Sequence, residues 1–183
     1  MSRWSVLGIL RAAPALDRPD LLADPVARAL AALDPADAAQ VGVAEIDPAL
    51  ADTAQFCAAY SSPVEGSANC VVVAGRRGEA TRYAACLVLA STRADVNGLV
   101  RRRLDARKAS FAPMQDAVAL SGMEYGGITP IGLPADWPVL VDAAVAATAA
   151  VVVGSGIRGS KLALPGALVA RLSGAEVVQA LGR

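Results

Sequence analysis

The apolar and polar residues of the chain alternate between a helical period and a strand period. The pair Asp24-Pro25 is typical of a helix start, because aspartate caps free N–H groups and proline fits the first turn. Apolar residues from Val26 onwards then recur on one helical face. Further along, residues 69–74 and 81–89 are apolar runs separated by a glycine-containing turn, and this arrangement predicts a β-hairpin.

The remaining segments are short and of both types. Helices are predicted at residues 52–60, 95–104, 113–120 and 165–172. Strands are predicted at residues 41–46, 110–112, 139–141, 149–153, 162–164 and 177–178. Because strands and helices mix without strict βαβ alternation, the pattern favours an α+β fold over a doubly wound sheet.

Length and charge limit the functions that the chain can have. Its 183 residues fit one domain with a short extension, and we expect an N-terminal extension at residues 1–24 and the domain at residues 25–183. The formal net charge is zero, which argues against a protein that holds nucleic acid by a wide basic surface. Binding to the end of an RNA is compatible with that charge.

Three short basic clusters stand out at residues 76–77, 101–103 and 107–108. Each is either a solvated turn or helix end, or part of a weak phosphate-contacting rim. The sequence alone leaves both interpretations open.

The chain contains no histidine, which excludes whole classes of mechanism. Nucleophiles activated by histidine and histidine-ligated metal sites are both impossible. The three cysteines, Cys57, Cys70 and Cys86, form no CxxC pair, and an odd count is typical of reduced, buried thiols in a cytosolic protein. No apolar run is long enough to span a bilayer, so we expect a cytoplasmic protein with no membrane partner. We also expect no metal and no cofactor.

Two glycine-rich segments carry the candidate chemistry. Residues 126–132 read Gly-Gly-Ile-Thr-Pro-Ile-Gly, and residues 154–159 read Gly-Ser-Gly-Ile-Arg-Gly. The first lacks the lysine and the spacing of the nucleotide-binding loops. Adjacent glycines let backbone N–H groups approach a ligand closely, so such a loop can bind a carbonyl oxygen or a ribose hydroxyl. The alternative is a tight crossover between packed elements.

Together these segments resemble the YbaK/EbsC family, the prolyl-tRNA-synthetase-associated aminoacyl-tRNA editing domains. The order and spacing match in both glycine segments, in the strand that ends at Asp142 and in the hairpin strand from Asn69. The resemblance covers roughly Val26 to the C-terminus, and it is strong from Asn69 onward and loose before that. It implies a bifurcated mixed β-sheet with a barrel-like core flanked by helices. Members hydrolyse the ester at the 3′ end of a mischarged tRNA, which implies that end as a partner and a synthetase as a second candidate partner.

The resemblance also implies the residues of the site. Asn69, Gly126 and Gly127 take the catalytic positions, with the glycine backbone holding the substrate carbonyl and ribose while water attacks, assisted by a substrate hydroxyl. The candidate substrate-binding residues are Cys70, Thr129, Pro130, Gly132, Asp142, Gly154, Ser155, Gly156 and Lys161. For Asp142 a cap on the following alanine-rich helix is the preferred role.

The chain departs from the family at the start of the hairpin strand. The family usually has lysine followed by threonine or serine there, whereas this chain has Asn69 and Cys70. Asparagine donates a hydrogen bond without charge, and a charged donor is about twice as strong. Asn69 is therefore either a weakened pocket donor or a polar residue at a strand edge. We hypothesise that Lys161 supplies the missing cation from the other side of the pocket; the alternative is an exposed surface lysine.

Three functions follow from these features. The first is a free-standing trans-editing hydrolase of aminoacyl-tRNA. The second is a non-catalytic relative that binds an aminoacyl or nucleotide-like ligand, which the replacement at Asn69 favours. The third is an interaction protein with a vestigial pocket, which the two intact glycine segments disfavour.

Overall fold

The computed structural model describes residues 4–183, which form two β-sheets surrounded by short helices. The strands are β1 (Ala13–Pro14), β2 (Gly42–Glu45), β3 (Ala68–Arg77), β4 (Ala80–Leu89), β5 (Lys108–Phe111), β6 (Val139–Asp142), β7 (Val151–Gly154), β8 (Ser160–Leu164) and β9 (Ala175–Val178). The helices are α1 (Asp24–Ala31), α2 (Pro35–Ala38), α3 (Thr53–Tyr60), α4 (Arg101–Arg103), α5 (Met114–Ser121), α6 (Ala143–Ala147) and α7 (Gly166–Val169). Single 3-10 turns lie at Ser5–Leu7, Ala15–Asp17, Pro19–Leu21, Pro48–Leu50 and Val64–Gly66.

The two sheets have different strand directions and meet at one point. The four-stranded sheet has the order β1-β2-β8-β7 and is antiparallel throughout. The five-stranded sheet has the order β5-β3-β4-β6-β9, with β6 and β9 parallel to β4. Ser67, just before β3, forms a parallel bridge with Val152 of β7, and the sheets diverge from there. This branched, mixed arrangement confirms the predicted α+β class.

The β3–β4 hairpin confirms the strands predicted at residues 69–74 and 81–89. Both strands are ten residues long and pair without a bulge. Along β4, Cys86 packs into one apolar core, whereas Ala85 and Leu87 pack into the other. This alternation is what a sheet buried on both faces requires.

Side-chain caps explain where several helices begin and end. Asp52 accepts hydrogen bonds from the N–H groups of Ala54 and Gln55 and so starts α3. Asp142 caps α6 in the same way, as the sequence predicts. At the other end of a helix, Gly122 closes α5 in the left-handed conformation.

The helix predicted at residues 95–104 is partly wrong. Its first half is a π-helical turn, Val96–Val100, because the carboxylate of Asp95 accepts hydrogen bonds from the N–H groups of Gly98 and Leu99. Only Arg101–Arg103 is α-helical.

The last predicted helix is also shorter than expected. It ends at Val169 rather than at residue 172, and β9 begins at Ala175 rather than at residue 177. Leu172 is used in a turn instead, because its carbonyl oxygen accepts a hydrogen bond from the N–H of Ala175 at 3.0 Å.

Much of the predicted N-terminal extension packs on the rest of the chain. Leu7, Ala15 and Leu21 are buried, and β1 pairs with β2. Residues 1–3 of that extension lie outside the described residues. The boundary at residue 24 stays a prediction, but the segment before it contributes side chains to the core.

The largest apolar core lies between the two sheets. It combines Leu87 and Val141 of the five-stranded sheet with Leu162 of the other sheet, and α1 adds Val26 and Leu30. This core therefore holds the two sheets together beside their branch point. Within residues 4–183, every helix is too short or too polar to cross a membrane.

Candidate functional site

A pocket of about 760 Å³ lies where the two sheets diverge. Its walls are the first residues of β3, the start of α3, the loop after α5, and the facing ends of β7 and β8. Five of the predicted site residues line it: Asn69, Cys70, Gly126, Gly154 and Lys161. The volume is in the range of pockets that hold small ligands, roughly 300–1,000 Å³.

One wall is the part of β3 that β5 leaves uncovered. The carbonyl oxygen of Val72 accepts a hydrogen bond from the N–H of Ala112, just after β5 ends at Phe111. Backbone groups at every second residue of a strand point to the same edge, so those of Cys70 point the same way as those of Val72. Cys70 lies beyond the end of β5, and its N–H and C=O face the pocket without a partner strand.

Asn69 lines the same wall and is held by α3. The hydroxyl of Thr53 donates a hydrogen bond to Oδ1 of Asn69 at 2.7 Å. This bond uses the amide oxygen, so the amide N–H groups are available to a ligand. Asn69 is thus a neutral donor with a fixed orientation.

The opposite wall carries Lys161, which is only 7% exposed. Its Nζ donates a hydrogen bond to the carbonyl oxygen of Ala51 at 2.8 Å and lies 5.6 Å from the centre of the Phe56 ring. Burial lowers the pKa of Lys161, and the charge of Asp52 opposes that shift. An exposed surface lysine, the alternative kept in the sequence analysis, is therefore wrong.

Arg158 is a second pocket cation that the sequence analysis did not single out. Its guanidinium donates to the carbonyl oxygens of Pro48 at 2.9 Å and Tyr125 at 3.3 Å, and its backbone N–H donates to the Glu124 carboxylate at 2.7 Å. The side chain thereby ties the loop after α5 to the turn before α3. Among residues 4–183 its guanidinium forms no ion pair, so its charge is not neutralised.

The two glycine segments meet backbone to backbone beside the pocket. The N–H of Gly156 donates to the carbonyl oxygen of Gly127 at 2.8 Å. A Cβ atom at Gly154 would collide with that same carbonyl, and one at Gly127 would lie 2.6 Å from the carbonyl oxygen of Ile157. Packing therefore requires glycine here, which is the tight crossover that the sequence left as an alternative.

The predicted catalytic glycine pair is reduced to one residue. The N–H of Gly127 donates to the carbonyl oxygen of Glu124 at 2.9 Å, so it is not free to bind a substrate carbonyl. Gly126, in contrast, lines the pocket with a φ of +86°, a conformation that favours glycine. Its N–H has no hydrogen-bond partner in the described part of the chain.

Residues 154–159 have the GxGxxG spacing of dinucleotide-binding loops but not their context. They connect β7 to the antiparallel strand β8. A dinucleotide loop instead joins a strand to a helix whose N-terminus holds the pyrophosphate. The spacing is therefore incidental here.

Three predicted binding residues of the first glycine segment lie outside the pocket. Thr129 is fully buried, and its hydroxyl has no partner within residues 4–183. Pro130 is also buried, and Gly132 packs against the carbonyl of Pro25. None of the three is among the residues that line the pocket.

Three further predicted residues are occupied elsewhere. The hydroxyl of Ser155 is buried 2.6 Å from that of Ser160, and Gly156 packs against Ala23. Asp142 caps α6 and accepts a hydrogen bond from the N–H of Gly182 at 2.7 Å. For Asp142 the preferred role as a cap is confirmed.

The thiol of Cys70, which lines the pocket, is not a ready nucleophile. Burial raises the pKa of the Cys70 thiol far above its ordinary range, with a smaller contribution from Cys86. Across the described chain, no group of three or more cysteine, aspartate and glutamate side chains is placed to hold a metal ion. What the pocket does offer is unpaired backbone N–H donors and two cations, which suits the stabilisation of developing negative charge.

Comparison with known proteins relates this pocket to a family. The sequence matches the aminoacyl-tRNA editing domain over residues 47–172, which is more than half of the chain. The chain belongs to the aminoacyl-tRNA editing domain family. The matched range of this editing domain includes β3, both glycine segments and Lys161, and thus every wall of the pocket. No curated protein matches the sequence.

Solved structures share the fold of the editing domain. A crystal structure reported as a candidate trans-editing enzyme for prolyl tRNA synthetase is 20% identical, with a TM-score of 0.70 over 86% of this chain and 97% of that chain. A scaffold from computational epitope grafting is 21% identical, with a TM-score of 0.69 and the same coverage. The hypothetical protein APE2540 is 19% identical, with a TM-score of 0.64 over 73% of this chain and 85% of that chain.

Sequence reasoning missed the residues that hold the pocket together. Arg158 lies inside the second glycine segment, beside predicted site residues. Thr53 lies at the start of the helix predicted at residues 52–60, and its hydroxyl orients Asn69. The signal available in both cases was a polar residue beside a predicted pocket element.

Proposed function

We propose that this editing domain hydrolyses the ester of a mischarged aminoacyl-tRNA. The observation that carries the proposal is the pocket in which the N–H groups of Cys70, on the edge of β3 that β5 leaves uncovered, and of Gly126 are combined with the cations of Lys161 and Arg158. Such an arrangement stabilises an oxyanion without a covalent intermediate. Membership of the editing domain family supports the same reaction.

The chemistry follows from the groups present. Water adds to the carbonyl carbon of the ester, and the carbonyl electron pair moves to oxygen, where the backbone N–H donors stabilise it. The C=O bond then reforms and the bond to the ribose oxygen breaks, so that this oxygen takes up a proton released by the water. The products are the free amino acid and the tRNA with its terminal hydroxyl restored.

In this proposal the proton moves through the substrate itself. The chain has no histidine, and the Cys70 thiol is held protonated at neutral pH by its raised pKa. The free hydroxyl beside the ester on the terminal ribose is within reach of both the water and the leaving oxygen. We assign the proton transfer to that hydroxyl.

In this proposal the cations of the second wall replace the usual lysine of the family. Lys161 is buried and forms no ion pair among the described residues. One N–H of its ammonium group bonds to the carbonyl oxygen of Ala51, and the others are available to a ligand. It therefore supplies the charge that Asn69 lacks. Asn69 contributes a neutral hydrogen bond from the first wall.

The test is ester loss from a panel of tRNAs charged with non-cognate amino acids. We expect at least one of them to lose its amino acid faster than in buffer. Lys161→Met and Asn69→Ala proteins serve as controls, because activity that persists unchanged in both belongs to a contaminating hydrolase.

The other outcomes lead to different conclusions. Binding of the tRNA end without any ester loss would support the non-catalytic binding function, which the neutral side chain of Asn69 favours. If the protein shows no binding of the tRNA end and no ester loss, both of these functions are contradicted, and the interaction protein is the function that is left.

A further inference from the structure

β5 is an edge strand that leads away from the pocket. It is the outermost strand of the five-stranded sheet, and Phe111 at its end lines the pocket. Lys108, at its other end, pairs with Arg76 of β3. Three residue steps separate Lys108 from Phe111, which is about 10 Å in a strand. An odd number of steps sends the two side chains to opposite faces, so a ligand reaches both only along the open edge of β5.

Phe111 is the exposed aromatic residue at the pocket end of this strand. It is 62% exposed. An exposed aromatic ring beside a pocket is a stacking surface, and unpaired nucleobases bind to proteins by stacking on such rings.

Cations accumulate at the other end of β5. Arg76 and Lys108 lie directly opposite each other, although like charges in that position destabilise a sheet. Arg107 is adjacent, and its N–H donates to the carbonyl oxygen of Arg76.

The acidic side chains nearby do not neutralise this group. The carboxylate of Asp105 pairs with Arg77. Arg76, Arg107 and Lys108 are all exposed and form no ion pair within residues 4–183. A chain of zero net charge therefore keeps a local cluster of unpaired cations beside the pocket strand.

We infer that the edge of β5 binds the single-stranded 3′ end of the RNA whose ester enters the pocket. Phe111 stacks on a base of that strand, and Arg76, Arg107 and Lys108 contact its phosphates. The inference rests on the proposed function for the identity of the occupant. It assigns a role as a phosphate-contacting rim to Arg76 and to the cluster at residues 107–108, whereas Arg77 is paired with Asp105.

The experiment measures binding of an uncharged, fluorescently labelled RNA hairpin that ends in an unpaired CCA strand. Phe111→Ser is expected to weaken binding about tenfold, whereas Phe111→Trp keeps it, because stacking needs only an aromatic face. The slope of log affinity against log salt is expected to become less steep by about 1.4 in the double variant Arg107→Gln/Lys108→Gln. The reason is that each phosphate contact on a single strand contributes about 0.7 to this slope, and two contacts are lost.

Arg171→Gln is the control for the loss of a positive charge elsewhere on the surface, where the side chain pairs with Asp37. Arg171 follows α7, which packs on α6, and α6 contacts β6 and β9 at the opposite side of the sheet from β5. The control is expected to leave affinity and salt slope unchanged. Thermal denaturation of each variant checks that it is folded.

The inference is overturned if the Phe111 and the Arg107/Lys108 variants bind the hairpin as the unaltered protein does. It is also overturned if a blunt-ended duplex binds equally well with the same dependence on Phe111. Because this RNA carries no amino acid, the measured affinity does not depend on whether the protein hydrolyses the ester. Absence of ester loss together with the expected binding changes would contradict the proposed reaction and leave the RNA surface standing.

Discussion

The two facing walls of the pocket differ in charge. The wall formed by β3 and α3 has the neutral Asn69, whose amide oxygen is held by Thr53, and the acidic Asp52. The wall formed by the ends of β7 and β8 carries Lys161 and Arg158. The family resemblance leads one to expect a lysine on the first wall, so the difference teaches that the positive charge of this pocket comes from the second.

One short segment fastens both walls. The carbonyl oxygens of Pro48 and Ala51 accept hydrogen bonds from Arg158 and Lys161, and the hydroxyl of Thr53 reaches across to Asn69. The start of α3 is therefore the common support of both walls. A substitution that shifts the side chains of one wall is therefore expected to displace those of the other through this segment.

Lys161→Met tests the charged wall and has the largest expected effect. Methionine keeps most of the side-chain volume but removes the charge, and we expect kcat/KM for ester loss to fall about a hundredfold or more. Adding Asn69→Lys returns a cation from the first wall and is expected to recover at least about tenfold of that loss. Unaltered activity in Lys161→Met would show that the second wall is not the source of the charge.

Gly154→Ala tests the contact that joins the glycine segments. Its Cβ would collide with the carbonyl of Gly127, so we expect the free energy of unfolding to fall by about 2 kcal/mol or more. Gly159→Ala is the matched control, because its Cβ would lie 3.8 Å from Pro48, an ordinary contact. Denaturant titration compares the two; equal stabilities would contradict the backbone contact.

Thr53→Val tests the hydrogen bond that holds Asn69 in the wall formed by β3 and α3. Loss of the hydrogen bond to Asn69 is expected to cost about 1 kcal/mol, and kcat/KM is expected to fall about fivefold. Thr53→Ser keeps the hydroxyl and is expected to retain most activity. If the valine and serine variants behave alike, the hydroxyl does not orient Asn69.

The pH dependence of stability gives a smaller effect from Lys161. Burial lowers its pKa in the folded protein, so between that value and about 10.4 the unfolded chain binds more protons than the folded chain does. This contribution makes stability rise with pH through that window, and it is absent in Lys161→Met. The thermal midpoint of the wild type minus that of Lys161→Met should therefore increase from about pH 8 to about pH 10.5. A constant difference between the two midpoints would contradict the shift.

Cys70→Ser has the smallest expected effect. Burial raises the pKa of the Cys70 thiol, so a thiolate does not form at neutral pH. We expect kcat/KM to change by less than about threefold and the pH–rate profile to keep its shape. Loss of an ionisation from that profile would show that the thiol takes part in the reaction.

The helices and strands could largely be predicted because they depend on neighbouring residues. The β3–β4 hairpin follows from two apolar runs around a glycine turn, and Asp52 and Asp142 mark helix starts by their own hydrogen bonds. The π-helical turn after Asp95 escaped prediction, because the same kind of capping side chain bonds one residue further along there.

The candidate site was predicted less completely than the fold. The pocket brings together Asn69, Cys70 and Lys161, but not Thr129 or Ser155. Whether a loop side chain faces a pocket or the interior depends on how the loop packs against distant segments. The spacing of residues within the loop carries no information about that packing.

By itself, the sequence determined the α+β class, the absence of histidine chemistry, the two glycine segments and the asparagine at the usual lysine position. Only the tertiary structure decided which groups face the pocket. Lys161 bonds to Ala51, 110 positions away, and Arg158 bonds to Pro48 at the same separation. The physical reason is that hydrogen bonds and burial between such distant residues arise only when the two sheets pack together, whereas periodicity and caps act within a few residues.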